Sequence, residues 1–146
     1  MSDQTEPTTP PPPSHPEPVV VPPTTPTISD KEVADGKTFA ILCYAINLVG
    51  FPFWLIPLIG RDNAFSLYHA KQCLILWCTL MVGVLIAIPL SFVCVGVVMF
   101  PLLGIANIVM NVLGVMSANK GQTKPLPVIG PWGEKWFAGI TYKPKA

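Results

Sequence analysis

Charge is what this sequence has least of. Only 12% of its 146 residues are Asp, Glu, Lys or Arg, about half the share of an ordinary soluble domain. No acid or base occurs between residues 72 and 119, which removes the paired carboxylates and proton relays that membrane catalysis or pumping would require. Histidine occurs only at positions 15 and 69, and there is no H-E-x-x-H, G-x-S-x-G or phosphate-binding glycine loop. The four cysteines, Cys43, Cys73, Cys78 and Cys94, form no C-x-x-C. Scattered through apolar stretches, they read as small buried side chains and not as a metal or redox set. An enzyme is therefore not expected, and neither a cofactor nor a metal is implied. The net charge of +1 gives no field toward nucleic acid. The start of the chain lacks the basic and apolar regions of a secretory leader and the second-position glycine of myristoylation, and Lys-Pro-Lys-Ala is not a prenylation box. Anchoring is expected from the interior of the chain.

What is present is hydrophobicity, 51% of residues, and proline, eighteen in all. Ten of those prolines fall within residues 1–27. A segment so poor in large apolar residues cannot bury enough surface to offset its ordering entropy, so residues 1–28 are expected to be a disordered Pro/Thr-rich tail with polyproline II character. Ser29 and Glu32 have the spacing of a helix capping box, with Asp30 and Glu32 in the first turn, where the helix dipole favours anions.

Residues 39–59 carry no charge and are long enough, at about 1.5 Å per residue, to reach across a hydrocarbon core of about 30 Å. Gly50, Pro52 and Pro57 interrupt them, so a kinked span or a dip that returns are both open. Asp62 or Asn63 can cap the next helix. The 48 uncharged residues from Gln72 to Asn119 suit two spans with a turn between Pro89 and Pro101. The expected architecture is an all-α membrane protein. It is a small bundle of about three transmembrane helices at 38–59, 66–89 and 97–118 within a domain at 29–119, followed by a polar tail at 120–146. Within that tail a short helix at 131–139 is expected to lie at the membrane interface, anchored by Trp132 and Trp136.

Three spans place Arg61, Lys71, Lys120, Lys124, Lys135, Lys143 and Lys145 on one side and only Lys31 and Lys37 on the other. The positive-inside rule then puts the C-tail in the cytoplasm, as a multi-pass protein of the cell inner membrane. A re-entrant first segment would collect all nine basic residues on that side.

Small and polar residues recur at helical spacing. One stripe runs Gly36, Ala40, Cys43, Asn47, Gly50. Another runs Gly104, Asn107, Asn111, Gly114, Ala118. A poorer one runs His69, Gln72, Leu76, Thr79, Gly83, Ala87. Because lipid gives apolar faces no reason to meet, such faces are expected to turn inward, where small residues admit close approach and amides bond across helices. They read as structural contacts, with a polar pathway along Asn47, Asn107 and Asn111 as the alternative. His69 is expected to make a structural hydrogen bond where its helix begins.

The stretch FPFWLIPLIGRDNAFSLYHAKQCLILW, with its proline-broken apolar segment, short charged turn and His69-Ala70-Lys71-Gln72, and the later NVLGVMSANKGQTKPLPVIGPWGEKW resemble the small bacterial membrane proteins grouped with the Tic20-like import component of the chloroplast inner envelope. The likeness covers about residues 37–140. It implies a multi-span membrane protein and, by analogy, a channel or translocation component. The residues by themselves imply a non-enzymatic protein acting through helix–helix contacts. Its partners would be the lipid bilayer and a second copy or another membrane protein.

Overall fold

The structure, a computed structural model, describes residues 28–143. The proline-rich tail expected at 1–28 falls almost wholly outside them. Among the described residues every regular element is helical. These are α1 (Asp30–Leu48), α2 (Leu55–Gly60), α3 (Ala64–Leu90), a 3-10 turn (Ser91–Val93), α4 (Val95–Asn119) and α5 (Gly130–Trp136).

The caps are local chemistry. Ser29 closes a capping box: its hydroxyl accepts from the Glu32 N–H at 3.3 Å, while its own N–H donates to the Glu32 carboxylate at 3.2 Å. Asn63 caps α3, its side-chain oxygen accepting from the Ser66 N–H at 2.9 Å. The reversals each use a left-handed residue. Gly50 (φ 88°) follows α1, Arg61 (52°) ends α2, Cys94 (63°) joins α3 to α4, Gly121 (67°) follows α4, and Val128 (68°) precedes α5. Glycine accepts such a φ without strain, whereas a β-branched valine does so only under it.

The long helices α3 and α4 form an antiparallel hairpin, and α4 serves as a depth gauge. At its C-terminal end, Gly121 abuts Val33 of α1 and Ala118 shares a cluster with Ala40 and Phe65. One turn deeper Tyr44 covers Gly114, and deeper still Asn47 meets Asn111. There α1 stops, eight residues or about 12 Å down α4. The chain turns at Gly50 and packs Trp54 against Trp77, with ring centroids 5.9 Å apart. It then climbs back, so that Asn63 donates to the Glu32 carbonyl at 2.8 Å. Residues 29–63 thus begin and end at the same end of the hairpin. Residues 121–143 make a second, similar excursion. Leu126 reaches Gln72, Val128 and Ile129 reach Leu103 and Met110, and the chain returns until the Lys143 N–H donates to the Arg61 carbonyl at 3.2 Å.

Three spanning helices were expected; two helices are long and apolar enough for the task, Ala64–Val93 and Val95–Asn119. Only 22% and 11% of their most apolar windows are buried, which is not how the core helix of a soluble protein looks. The first segment falls short because Asp30, Lys31, Glu32, Asp35 and Lys37 occupy its early turns and the Gly50–Pro52 break ends it at Leu48.

Candidate functional site

The polar side chains singled out in the sequence collect in the half of the hairpin that α1 reaches. His69, on α3, is fully buried between Phe65, Tyr68 and Tyr44, with the ring centroids of Phe65 and His69 4.7 Å apart. Its Nδ1 lies 3.2 Å from the Tyr44 hydroxyl of α1. Asn47 of α1 donates to the Asn111 side-chain oxygen at 3.1 Å. The Asn111 amide in turn donates to the backbone carbonyl of Asn107 at 2.8 Å and to its side-chain oxygen at 3.1 Å. Gln72 faces the other excursion: its oxygen accepts from the Leu126 N–H at 3.4 Å and its amide donates to the Gly130 carbonyl at 3.5 Å.

Apart from the bonds between Asn111 and Asn107 within α4, each of these joins residues 29–63 or 121–143 to the α3–α4 hairpin, and small residues set the distance. Gly114 leaves the space that the Tyr44 ring fills, and Gly36 leaves the space that the Asn63 side chain fills. The stripe of α1 is buried through Gly36, Ala40, Cys43 and Asn47, but Gly50 is exposed in the turn. The stripe of α4 divides. Ala118, Gly114 and Asn111 are buried, Asn107 is half-buried, and Gly104 is exposed with open space where a side chain would stand. The cause is the length of α1, which ends before it can cover Gly104.

As chemistry, the network offers amides, a phenol and an imidazole, most of them satisfied by one another. Buried polar atoms without a hydrogen-bond partner among the described residues include the Asn47 side-chain oxygen and the Trp54 indole N–H. No three His, Cys, Asp or Glu among the described residues come together as a metal set. A cavity of about 210 Å³ touches Asn107, but its other walls are almost all apolar, including Leu76, Leu103 and Met110. Asn47 and Asn111 do not line it; the Asn47 amide is spent on Asn111 and the Asn111 amide on Asn107.

Trp132 and Trp136 project from α5, about two-thirds exposed, with rings 6.0 Å apart. The helix is seven residues long and lies on the flank of α3, where Gly133 meets Ile75 and the Tyr68 hydroxyl donates to Glu134 at 2.7 Å. Tyr44, Trp54 and the backbone partners of Gln72 were not foreseen as parts of the site. Tyr44 had a signal: Gly36, Ala40 and Tyr44 are spaced by four. The Leu126 N–H and Gly130 carbonyl had none, because main-chain groups leave no mark in a sequence.

These elements define a class, a small protein whose described residues are all helix and loop, with two helices of membrane-spanning length and apolarity braced at one end by two shorter segments that run along them and turn back. Within that class, residues 35–133 match the magnetosome magnetite crystal formation protein family, MamF/MmsF. The match covers more than half of the chain, and the chain belongs to that family. The resemblance to the Tic20-like group is thereby corrected. The residues that suggested it, His69 to Gln72 and Lys120 to Gly130, lie inside the matched range. They are places where residues 29–63 and 121–143 meet α3, a packing requirement that does not by itself distinguish an import component. No curated protein and no solved structure matches the chain.

Proposed function

We propose that this chain is a non-enzymatic integral protein of the magnetosome membrane that supports magnetite crystal formation from within the bilayer, through helix contacts and not through a catalytic centre. The observation that carries this is the family match over residues 35–133, laid over a hairpin that is uncharged from Gln72 to Asn119 and exposes mostly apolar side chains there. In this reading α3 and α4 are the two spans, and residues 29–63 and 121–143 dip in from one side and return. All the charged residues of the described chain then lie on that side, which the excess of lysine assigns to the cytoplasm. The turn at the opposite end, Ser91 to Cys94, has no acid with which to meet iron or mineral. Influence on the crystal therefore runs through the membrane or through the charged end.

Two experiments test this. The chain, tagged at its C-terminus in magnetosome-forming cells, should stay with magnetosome membranes after salt and alkaline washing, and its deletion should change the size or number of crystals. Release by alkali, or unaltered crystals, contradicts the proposal. For a second copy or another membrane protein as partner, cysteines placed at Gly104 and at the exposed Leu102, Ile105 and Ile108 beside it should crosslink between molecules. Purely intramolecular products from a monomeric protein count against such a partner.

A further inference from the structure

The two ends of the hairpin differ in girth. Where α1, α2, α5 and the 121–129 segment surround α3 and α4, the cross-section holds four or more chain segments. Beyond the level of Leu80 and Leu103 it holds two helices. Burial follows the same division. In α3 the buried residues run from Phe65 to Leu76, and in α4 from Asn111 to Ala118. Past those points only Ala87 and Gly96 are buried, where the Gly96 backbone sits against the Ala87 carbonyl beneath the turn. The rest of the narrow end is open: Leu85 is 70% exposed, Phe92 90% and Val97 62%.

Both ends belong in hydrocarbon. The narrow end is uncharged throughout. The wide end turns Phe39, Val49, Phe51 and Ile59 outward from the re-entrant segment, so that segment fills lipid space and not water. Each helix with its side chains is about 10–12 Å across, so the leaflet at the charged end must accommodate roughly twice the protein area that the other leaflet does. Gly83, which lets Leu103 close against α3, thins the hairpin further where the narrow end begins.

We infer that this protein is a membrane wedge that favours curved bilayer with its charged, wide end on the convex face. The inference rests on the two-span reading above. The partner it specifies is a lipid surface selected by curvature, with no lipid headgroup required. A flat bilayer must stretch one leaflet or leave the other underfilled around such a shape. A bilayer already bent toward the charged end has room for it. A preference of this kind shifts populations only by the difference in free energy between the two environments.

The test uses the full chain, labelled with a fluorophore at its C-terminus and reconstituted in giant vesicles of phosphatidylcholine, from which narrow tubes are drawn outward. A membrane-impermeant quencher identifies which molecules have the C-terminus outside. Those molecules should be enriched in the tube over the flat membrane about threefold, equivalent to about 0.6 kcal/mol, and those with the C-terminus inside should be depleted. Equal density on tube and flat membrane in both orientations overturns the wedge. Leu85→Trp with Val98→Trp adds bulk to the narrow end at exposed positions and should bring the enrichment close to unity; enrichment unchanged by that bulk also overturns it. Residues 29 and 143 are labelled in the same vesicles through added cysteines. If they lie on opposite sides of the bilayer, the two-span reading fails. If they lie on one side and no sorting occurs, the wedge alone fails.

Discussion

Gly104 and Asn107 lie one heptad before Asn111 and Gly114, on the same face of α4, and the two pairs have different fates. Asn111 is buried and bonded to Asn47, and Gly114 is covered by Tyr44. Gly104 is exposed beside nothing, and Asn107 is only half-buried. The chemistry of the two stretches is the same, so composition does not decide which one packs. What decides is whether a neighbouring helix is long enough to arrive. In water an uncovered apolar half would be a liability. In lipid it costs little, because lipid tails solvate it as well as another helix would.

The contrast between the halves is open to direct attack by substitution, with stability followed by thermal unfolding in mild detergent. Gly114→Leu should have the largest effect, about 3 kcal/mol of destabilisation, because the Tyr44 ring already occupies the space the new side chain needs. Gly104→Leu should stay within about 0.5 kcal/mol. Similar losses at both positions would erase the distinction. Asn111→Leu comes next, at about 1–2 kcal/mol, since it strands the buried Asn47 amide. The double variant with Asn47→Leu should recover part of that loss, with a coupling of about 0.6–1.7 kcal/mol. Strict additivity would deny the bond.

Gln72→Leu should cost about 1 kcal/mol, and hydrogen exchange should speed up selectively at the Leu126 N–H, the donor that loses its acceptor. Uniform acceleration along the chain would mean that Gln72 holds no particular segment. The smallest effect belongs to the narrow end. Phe92→Ser, at a 90% exposed position, should change unfolding by less than about 0.5 kcal/mol; a loss as large as that of Gly114→Leu would show hidden packing there.

Much of this arrangement is written in the sequence as period and punctuation. The Ser29–Glu32 spacing marks the start of α1 and forms a complete capping box. Asn63 caps α3, and the uncharged run from Gln72 to Asn119 contains a hairpin turned between Pro89 and Pro101. The stripe of Gly36, Ala40, Cys43 and Asn47 names the buried face of α1. Other features are not local properties. Gly50, Pro52 and Pro57 announce a break, but whether the chain continues or returns depends on the contact between Asn63 and the Glu32 carbonyl, thirty-one residues apart. Gly104 continues the stripe of α4, and nothing around it in the sequence tells that α1 has already ended. The tryptophans of α5 suggest a helix lying on a membrane surface; its glycines, Gly130 and Gly133, let it seat on α3. The family likeness misled for a related reason. Signals for a proline-broken segment and a short charged turn specify a chain reversal beside a helical hairpin, which unlike proteins can share.

In the proposed topology residues 29–63 enter the bilayer and return. Single cysteines at Ser29, Asp62 and Lys143, in a chain whose four native cysteines are replaced, should all react with a membrane-impermeant thiol reagent from the same side of sealed vesicles, and all be protected from the other. Reaction of Ser29 and Asp62 from opposite sides would make the first segment a span and contradict the account.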